Sequence, residues 1–244
     1  ESPTLSMEEH KRVIDICIAA AKGSGVPVIA GTGSNSTAEA IELTRHAKKA
    51  GADAAMLVVP YYNKPTQEGL FQHYRAIADS TPLPIVLYNV PGRTGVNIEP
   101  ATVRRLAAIP NIVGVKEASG NIGQIVEICR TVPEDFIVLS GDDAITLPLM
   151  ALGGHGLISV ASNEVPGGLA RMVEAAERGD FAEARCLHNR LLPLMQVNFI
   201  ESSPGPVKYA MAEMGLLEPH YRLPIVLPTE ASQEKIRAIL KELP

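Results

Sequence analysis

A lysine stands at the end of one of the most apolar segments of the sequence. Lys116 closes the run Ile112–Lys116, which is typical of a strand buried on both faces. In such a place the loss of water disfavours the charged ammonium and lowers the pKa of the lysine, and a neutral amine can attack a carbonyl carbon to form a Schiff base. The alternative is a structural lysine that extends into solvent or pairs with Glu117.

A tyrosine and an arginine follow the preceding apolar run. Tyr88 lies near the end of Leu83–Asn89, and adjacent parallel strands in register would place its hydroxyl on the same rim as Lys116. A phenol there can donate and accept a proton beside the amine, although a lone tyrosine is more often a core residue. Arg93 lies in the tight turn Val90–Gly95, where a guanidinium can bind a carboxylate through two hydrogen bonds or simply face solvent.

Two adjacent tyrosines, Tyr61 and Tyr62, occupy the loop Pro60–Pro65 after another apolar run. Only 4% of the residues are aromatic, so an aromatic pair in a proline-bounded loop is unusual for this chain. The pair could line a pocket, contact a second subunit or pack within the loop. All three interpretations stay open on these residues alone.

Other glycine-rich and polar segments indicate turns rather than ligand sites. Gly31–Gly33 lacks the spacing of a dinucleotide-binding fingerprint, Gly153–Gly156 is typical of a turn, and no phosphate-binding GxxxxGK[ST] motif occurs. Asp142 and Asp143 follow a strand and are expected to cap a turn or helix rather than to bind a metal. The six histidines and three cysteines lack zinc-ligand and CxxC spacing, so neither a zinc site nor a disulfide framework is expected.

Length and composition restrict the classes of protein to which the sequence can belong. The 244 residues are 46% hydrophobic and 20% charged, and a chain of this size buries roughly 70% of its unfolded surface without disulfides. The 22 basic and 27 acidic residues give a formal charge of -5 without a basic patch, which argues against nucleic acid as the main partner. No apolar run approaches the ~20 residues of a membrane span, and the three scattered cysteines fit a cytoplasmic location.

Six apolar runs alternate with amphipathic segments over the first 160 residues or so. The runs predict parallel strands at Val26–Gly31, Ala54–Pro60, Leu83–Asn89, Ile112–Lys116, Phe136–Ser140 and Gly156–Val160. The intervening segments predict helices at Ser36–Ala50, Gln67–Ser80, Pro100–Ile109, Asn121–Thr131 and Ala144–Leu152. Capping boxes are predicted at Ser6–Glu9 and Ser36–Glu39. Strand and helix in alternation are typical of a parallel α/β sheet.

Beyond Val160 only helical patterns remain. They cover Glu164–Arg178, Phe181–Leu192, Pro206–Met214 and Ser232–Lys241. No long linker separates them from the sheet, so we expect residues 1–163 to form the sheet domain with the candidate site and residues 164–244 to form a helical region packed on it. Six strands fit an open doubly wound sheet or a (β/α)8 barrel without its first two strands, and spacing does not decide between them.

Five motifs carry a further indication, because their order and spacing match a known pattern. They are PYYNKPTQEGL at Pro60–Leu70, YNVPGRTG at Tyr88–Gly95, GVKEASGN at Gly114–Asn121, SGDD at Ser140–Asp143 and GGHGLISV at Gly153–Val160. Together they resemble the dihydrodipicolinate synthase family, class I lysine-dependent aldolases on a (β/α)8 barrel. The second and third motifs are specific, since other pyruvate aldolases usually lack the arginine. The resemblance runs from Glu1 to near the C-terminus and implies a TIM barrel lacking its first two strands, with a C-terminal helical extension.

The resemblance implies a chemistry for the residues described above. Lys116 would form an imine with pyruvate, and the derived enamine would attack L-aspartate 4-semialdehyde to give 4-hydroxy-tetrahydrodipicolinate, an intermediate of lysine and diaminopimelate biosynthesis. Tyr88 would relay protons, and Tyr62 would reach the site of a neighbouring subunit in a homodimer or tetramer.

The same resemblance implies three substrate-binding positions. Arg93 would hold the carboxylate of the semialdehyde, and the backbones of Gly141 and Ile158 would line the pyruvate pocket. No metal or organic cofactor is implied, because the lysine imine itself accepts the electrons.

A regulatory site for L-lysine is also implied. Many members bind lysine at a dimer interface, and His10, Asn35, Glu39 and Tyr61 match the positions used there. Met7 stands where lysine-sensitive members often carry histidine. Feedback inhibition by lysine is therefore an expectation that a titration of activity would test.

In the family, two further strands and a Gly-Thr-Thr-Gly loop precede the Glu-Ser pair that Glu1-Ser2 matches. That loop supplies a threonine hydroxyl which links the two tyrosines, and its backbone binds the pyruvate carboxylate. Three interpretations stay open: an active synthase whose N-terminal segment was removed from the sequence, a truncated synthase of low or no activity, and a non-catalytic subunit that binds pyruvate-like ligands or a partner chain. The alternative activity is another pyruvate-dependent aldolase, of the 2-keto-3-deoxy sugar acid or sialic acid lyase type.

Overall fold

The structure, a computed structural model, describes residues 1–243. They form two compact units: a sheet unit of residues 5–141 with 152–155, and a helical unit of residues 1–4, 142–151 and 156 onward. The strands are β1 (Ile29–Gly31), β2 (Ala54–Val58), β3 (Ile85–Asn89), β4 (Ile112–Glu117), β5 (Ile137–Ser140) and β6 (Gly156–Leu157). The α-helices are α1 (Met7–Ala21), α2 (Thr37–Ala50), α3 (Gln67–Asp79), α4 (Pro91–Thr94), α5 (Pro100–Leu106), α6 (Ile122–Thr131), α7 (Thr146–Ala151), α8 (Pro166–Glu177), α9 (Phe181–Val197), α10 (Gly205–Glu213) and α11 (Glu230–Glu242).

The sheet unit is built from parallel strands. β1 to β5 lie side by side in chain order, and each adjacent pair runs parallel, with a helix in every connection. Leu57, Leu87 and Val115 on the three central strands are completely buried, which explains why these strands are continuously apolar. The predicted α/β fold with a parallel sheet is therefore confirmed.

The carboxyl ends of β3 and β4 meet in a defined register. Tyr88 pairs with Lys116, and Asn89 pairs with Glu117 one position further along. The register shifts between Ile85 and Val86, at the start of the same pair of strands. The two residues that the sequence singled out for chemistry are thus direct neighbours across the sheet.

The helical unit has its own apolar core. Leu169 and Met172 of α8, Leu191 and Leu194 of α9, and Ile236 of α11 belong to one buried cluster. The prediction that the second of these helices ends at Leu192 is wrong, because α9 continues through Pro193 to Val197. A proline inside a helix removes one backbone hydrogen bond, and the buried side chains of Leu194 and Val197 offset that loss.

Two strands, β1 and β6, are three residues shorter than the apolar runs that predicted them. β1 begins at Ile29 rather than Val26, because Pro27 has no N–H and the N–H of Val28 donates to Asp53 Oδ2 at 2.7 Å. β6 ends at Leu157 rather than Val160, since the N–H of Val160 donates to Asp143 Oδ2 at 3.0 Å. In both places a side-chain carboxylate takes a donor that a longer strand would have used.

One of the two predicted capping boxes forms. The Ser6 hydroxyl accepts from Glu9 N at 3.2 Å while the Glu9 carboxylate accepts from Ser6 N at 2.9 Å. At the start of α2 the prediction is half wrong, because the Glu39 carboxylate accepts instead from the Ser34 hydroxyl at 2.8 Å. No α-helix among residues 1–243 is both long and apolar enough to cross a membrane.

Candidate active site

Lys116 and Tyr88 form the centre of the candidate site. The Lys116 side chain is buried, with 9% of the residue exposed, and its Nζ lies 4.1 Å from the centre of the Tyr88 ring. The face of a phenol ring attracts an ammonium, so the ring holds the lysine at the strand end. The prediction that the two side chains share one rim of the sheet is confirmed.

Glu117 does not take the role of a simple ion-pair partner that the alternative interpretation gave it. Successive side chains on a strand point to opposite faces, so Glu117 lies on the face away from Lys116. Its carboxylate accepts hydrogen bonds from Ser119 N at 2.7 Å and Asn89 Nδ2 at 2.9 Å. The side chain of Lys116 lies on the other face of the sheet, which it shares with Tyr88.

The Tyr88 phenol is a proton donor at neutral pH. Burial raises the pKa of Tyr88 above its ordinary value, and the positive charge of Arg93 acts in the opposite direction. Arg93 is exposed and lies in α4, a single turn directly after β3, where the sequence predicted a tight turn. The geometry therefore places one cationic side chain within electrostatic range of the phenol and of the rim where Lys116 lies.

Gly141 touches the stem of Lys116. A Cβ built on Gly141 would lie 2.6 Å from Ala118 Cβ and 3.0 Å from Lys116 Cε, closer than carbon atoms normally approach. The N–H of Gly141 donates to Glu117 O at 2.8 Å, which fixes the backbone in that position. Only glycine leaves room here for the lysine in the position that it occupies.

The remaining pocket position predicted from the resemblance, Ile158, lies in the helical unit. It is half-buried and follows β6 directly. Asp143 holds this segment, because its carboxylate accepts from the Ser159 hydroxyl and from Val160 N. Asp142 accepts from Ala144 N at 2.9 Å and caps the 3-10 turn that follows, as predicted.

The two loop tyrosines differ in exposure and in backbone conformation. Tyr62 is 89% exposed and has a φ of 73°, a left-handed conformation that costs a non-glycine residue energy. Tyr61 is less exposed, and its carbonyl accepts from Asn35 Nδ2 at 3.2 Å. The loop therefore presents the Tyr62 side chain away from the surface of its own chain.

The four positions matched to a lysine site lie in the sheet unit, and two of them are in contact. Asn35 and Tyr61 are joined by the hydrogen bond described above. His10 Nε2 lies 2.8 Å from the carbonyl oxygen of Gly31, and the Glu39 carboxylate accepts a hydrogen bond from the Ser34 hydroxyl. His10 and Glu39 therefore have local partners in this structure.

A cluster of side-chain amides behind the rim was not predicted from the sequence. Asn89, Asn97 and Gln124 surround the Glu117 carboxylate, and their side chains hydrogen-bond to it or to one another. A signal was present, since a polar residue follows both Tyr88 and Lys116 at positions that strand alternation directs into the core. Among residues 1–243 no three His, Cys, Asp or Glu side chains are placed to hold a metal ion together.

Comparison with known proteins agrees with this geometry. The profile described as the Dihydrodipicolinate synthetase family matches residues 1–243. The 4-hydroxy-tetrahydrodipicolinate synthase of Syntrophus aciditrophicus is 55% identical over 241 residues, which cover 99% of this chain and 82% of that protein.

Two solved structures of similar proteins contain small molecules. A dihydrodipicolinate synthase from Acinetobacter baumannii complexed with pyruvate has a TM-score of 0.97 at 49% identity, covering 99% of this chain and 83% of that one. The enzyme from Cyanidioschyzon merolae with lysine bound has a TM-score of 0.95 at 43% identity, covering 99% and 82%. Since the profile match spans all but the last residue and the relatives match over most of their own length, the chain belongs to the dihydrodipicolinate synthetase family.

Proposed function

We propose that the chain condenses pyruvate with L-aspartate 4-semialdehyde through a Schiff base on Lys116, giving 4-hydroxy-tetrahydrodipicolinate for lysine and diaminopimelate biosynthesis. One observation carries the proposal: a buried lysine amine lies 4.1 Å from the ring of a half-buried tyrosine at the carboxyl end of a parallel strand. The identity of 55% to a protein named for that activity supports the choice of substrates.

The chemistry follows from the amine and the phenol. The Lys116 amine adds to the ketone carbon of pyruvate, and loss of water gives an imine. Removal of a methyl proton converts the imine into an enamine, whose carbon forms a bond to the aldehyde carbon of the semialdehyde. The amino group of the second substrate then displaces Lys116 and closes the ring, so that one water is released overall. Tyr88, protonated at neutral pH, passes protons in these steps.

Three positions contribute to substrate binding in this proposal. Arg93 binds the carboxylate of the semialdehyde, for which its exposed position after β3 is suitable. Gly141 brings its backbone against the stem of Lys116, and Ile158 lies in the segment that Asp143 holds. The pyruvate bound to the A. baumannii enzyme supports pyruvate as the first substrate.

Tyr62 acts in the proposal from a second copy of the chain. Its exposure of 89% and its strained backbone favour a role outside its own subunit, as the second proton-relay tyrosine of a homodimer or tetramer. The lysine-bound C. merolae enzyme similarly supports an allosteric lysine site at His10, Asn35, Glu39 and Tyr61. A titration of activity with L-lysine tests that site. Unchanged activity at millimolar L-lysine would contradict it.

The fold is proposed to be part of a (β/α)8 barrel whose first two strands have no counterpart in these 244 residues. Among the described residues β1 is the end strand of the sheet and pairs with β2 alone, so its outer backbone edge can accept a further strand. The chain spans 82% of the length of the S. aciditrophicus relative. In this proposal residues 1–163 belong to the barrel and residues 164–244 to the helical region, a division that differs from the two compact units at residues 1–4, 142–151 and 156–163. A cytoplasmic location fits a biosynthetic enzyme.

Trapping of the Schiff base tests the proposed function directly. The chain is incubated with pyruvate, reduced with borohydride and weighed intact, and the modified peptide is sequenced. We expect one pyruvyl adduct on Lys116 and none in the Lys116→Arg variant. Turnover with the semialdehyde then separates a synthase from another pyruvate aldolase. Absence of the adduct would contradict both and favour the non-catalytic subunit.

A further inference from the structure

A buried carboxylate lies directly behind the candidate nucleophile. Glu117 is completely buried on β4, adjacent in sequence to Lys116. Its Oε1 accepts from Ser119 N at 2.7 Å, and its Oε2 accepts from Asn89 Nδ2 at 2.9 Å and Gln124 Nε2 at 3.3 Å. An ionised carboxyl group only accepts hydrogen bonds, and three N–H donors surround this one, so the site is built for the ionised form.

The donors belong to a continuous cluster. Asn97 Oδ1 accepts from Asn89 Nδ2 at 2.8 Å and from Gln124 Nε2 at 3.1 Å, while Asn97 Nδ2 donates to Gln124 Oε1 at 2.8 Å. Asn89 Oδ1 accepts from the N–H of Ile98 at 3.0 Å. We call Asn89, Asn97, Glu117 and Gln124 the amide cluster. A cluster so fully hydrogen-bonded fixes the positions of its members.

The amide cluster joins the two strands that carry the reacting groups. Asn89 and Glu117 are paired across the sheet immediately beyond the pair Tyr88 and Lys116, and they lie on the opposite face. The Asn89–Glu117 hydrogen bond therefore bridges β3 and β4 one residue from the lysine and the tyrosine. A shift of either strand would break this bridge and separate Lys116 from the Tyr88 ring.

The strand pair needs such a bridge because its ladder is irregular. Ile85 pairs with Ile112, whereas Val86 pairs with Gly114, so one residue of β4 is left over at that point. Such bulges disrupt the ladder locally and end uniform pairing. Beyond the bulge only four pairs reach the carboxyl end, and the last of them carries the side-chain bridge.

We propose that Glu117 is a positioning residue: its ionised carboxylate, held by Asn89 and Gln124, fixes the register of β3 and β4 beyond the bulge and thereby the approach of Lys116 to Tyr88. The proposal deepens the proposed function and rests on it for its kinetic readout. Burying a carboxylate has a desolvation cost that its hydrogen bonds must offset, so a role in register explains its presence better than a role in stability.

Glu117→Gln tests the proposal without changing the shape of the side chain. Whichever way the new amide is turned, its NH2 faces Ser119 N or Asn89 Nδ2, so one donor meets another donor. We expect a fall in kcat of roughly 10- to 100-fold with little change in the KM for pyruvate, because a displacement near 1 Å has this effect on catalysis. Glu127→Gln, an exposed carboxylate paired with Arg130, is the matched control and should leave kcat unchanged.

A second variant returns the charge to the cluster. In Asn89→Asp/Glu117→Gln, the new carboxylate at position 89 still accepts from the N–H of Ile98, and the new amide at position 117 donates to that carboxylate, so one negative charge is present again. We expect the kcat of this double variant to be at least about tenfold higher than that of Glu117→Gln. If Glu117→Gln does not fold, Gln124→Met removes the longest donation to Glu117, together with the hydrogen bonds between Gln124 and Asn97, and should lower kcat in the same direction.

Hydrogen exchange supplies a readout that does not need activity. Amides of β3 and β4 should exchange at least about tenfold faster in Glu117→Gln, and β2 should not change, if the register is loosened locally. If β3 and β4 exchange at the same rates in Glu117→Gln as in the wild type, or if exchange increases uniformly over the whole sheet, the positioning role is overturned whatever the activity. Local loosening in a chain whose wild type forms no pyruvyl adduct would support the positioning role and contradict the proposed function.

Discussion

Replacing Gly141 with alanine tests whether Lys116 depends on the space that the glycine leaves. The added Cβ would lie 2.6 Å from Ala118 Cβ, short by about 0.9 Å of the ~3.5 Å at which two carbon atoms normally touch. It would also lie 3.0 Å from Lys116 Cε, which must move by about half an ångström. The Ala118 methyl is fixed to the backbone, so most of the adjustment has to come from the lysine and from β5.

The expected result is a large loss of activity with a moderate loss of stability. Displacement of a catalytic group by 1 Å costs about 100-fold in rate, or roughly 3 kcal/mol of barrier, so a lysine shift of about half an ångström should cost roughly 10- to 100-fold. Overpacking costs about 1–3 kcal/mol of folding free energy, and each kcal/mol lowers the Tm of a chain of this length by roughly 2–4 °C. Steady-state kinetics, the initial rate of borohydride-trapped adduct formation and calorimetry measure the three quantities.

Two further variants make the result specific. Gly167→Ala adds the same methyl group where its nearest neighbour is 3.8 Å away, so it should leave the kinetics unchanged. Ala118→Gly combined with Gly141→Ala removes the 2.6 Å contact and should restore part of the activity. If Gly141→Ala kept its kcat within about twofold of the wild type and formed the adduct at the normal rate, Lys116 would not depend on the space that Gly141 leaves.

Three other variants have defined outcomes. Tyr88→Phe keeps the ring beside Lys116 but removes the proton-carrying hydroxyl, so kcat should fall by about 10²–10⁴-fold while intact-mass analysis still finds the trapped adduct; unchanged turnover would exclude Tyr88 from the relay. Burial raises the pKa of Glu164 from 4.5 to about 7, so the folded state holds a proton that the unfolded state releases and stability falls as the pH rises through this window. Relative to Glu164→Gln, the wild type should lose up to about 3 kcal/mol between pH 4.5 and pH 7 in urea unfolding, and a constant difference would contradict this. Burial lowers the pKa of His73 from 6.5 to about 4, so protonation favours the unfolded chain and stability falls as the pH drops through this window. Relative to His73→Gln, the wild type should lose up to about 3 kcal/mol from pH 6.5 to pH 4, and parallel thermal unfolding curves over that range would rule the effect out.

Sequence patterns predicted the positions of the strands because each strand lies in an uninterrupted apolar run, and β3 and β4, which carry the candidate site, are buried on both faces. A lysine or tyrosine that ends such a run is conspicuous, and parallel strands bring their carboxyl ends to one edge. These two facts were sufficient to predict that Lys116 and Tyr88 lie on the same rim, and the structure pairs them directly.

Features that depend on competition between side chains were not predictable in the same way. Glu39 has the spacing of a capping box, yet the Ser34 hydroxyl donates to its carboxylate instead. A proline normally ends a helix, but Pro193 lies inside α9, where the burial of Leu194 outweighs the lost backbone hydrogen bond. The amide cluster draws its members from β3, β4, α6 and the segment before α5, and no local pattern contains that combination.

Alternation along β3 and β4 separates the reacting face from the supporting face. Tyr88 and Lys116 occupy one side, and Asn89 and Glu117 occupy the other side at the next pair of the same ladder. The backbone between these pairs is shared, so a change on the supporting face alters the distance between the lysine and the phenol without touching a substrate. An apolar pair in place of Asn89 and Glu117 could also pack in the core. It would have no directional hydrogen bond to fix the register of β3 and β4 beyond the bulge. The presence of a buried carboxylate at this point is therefore better explained by the chemistry on the opposite face than by the stability of the sheet.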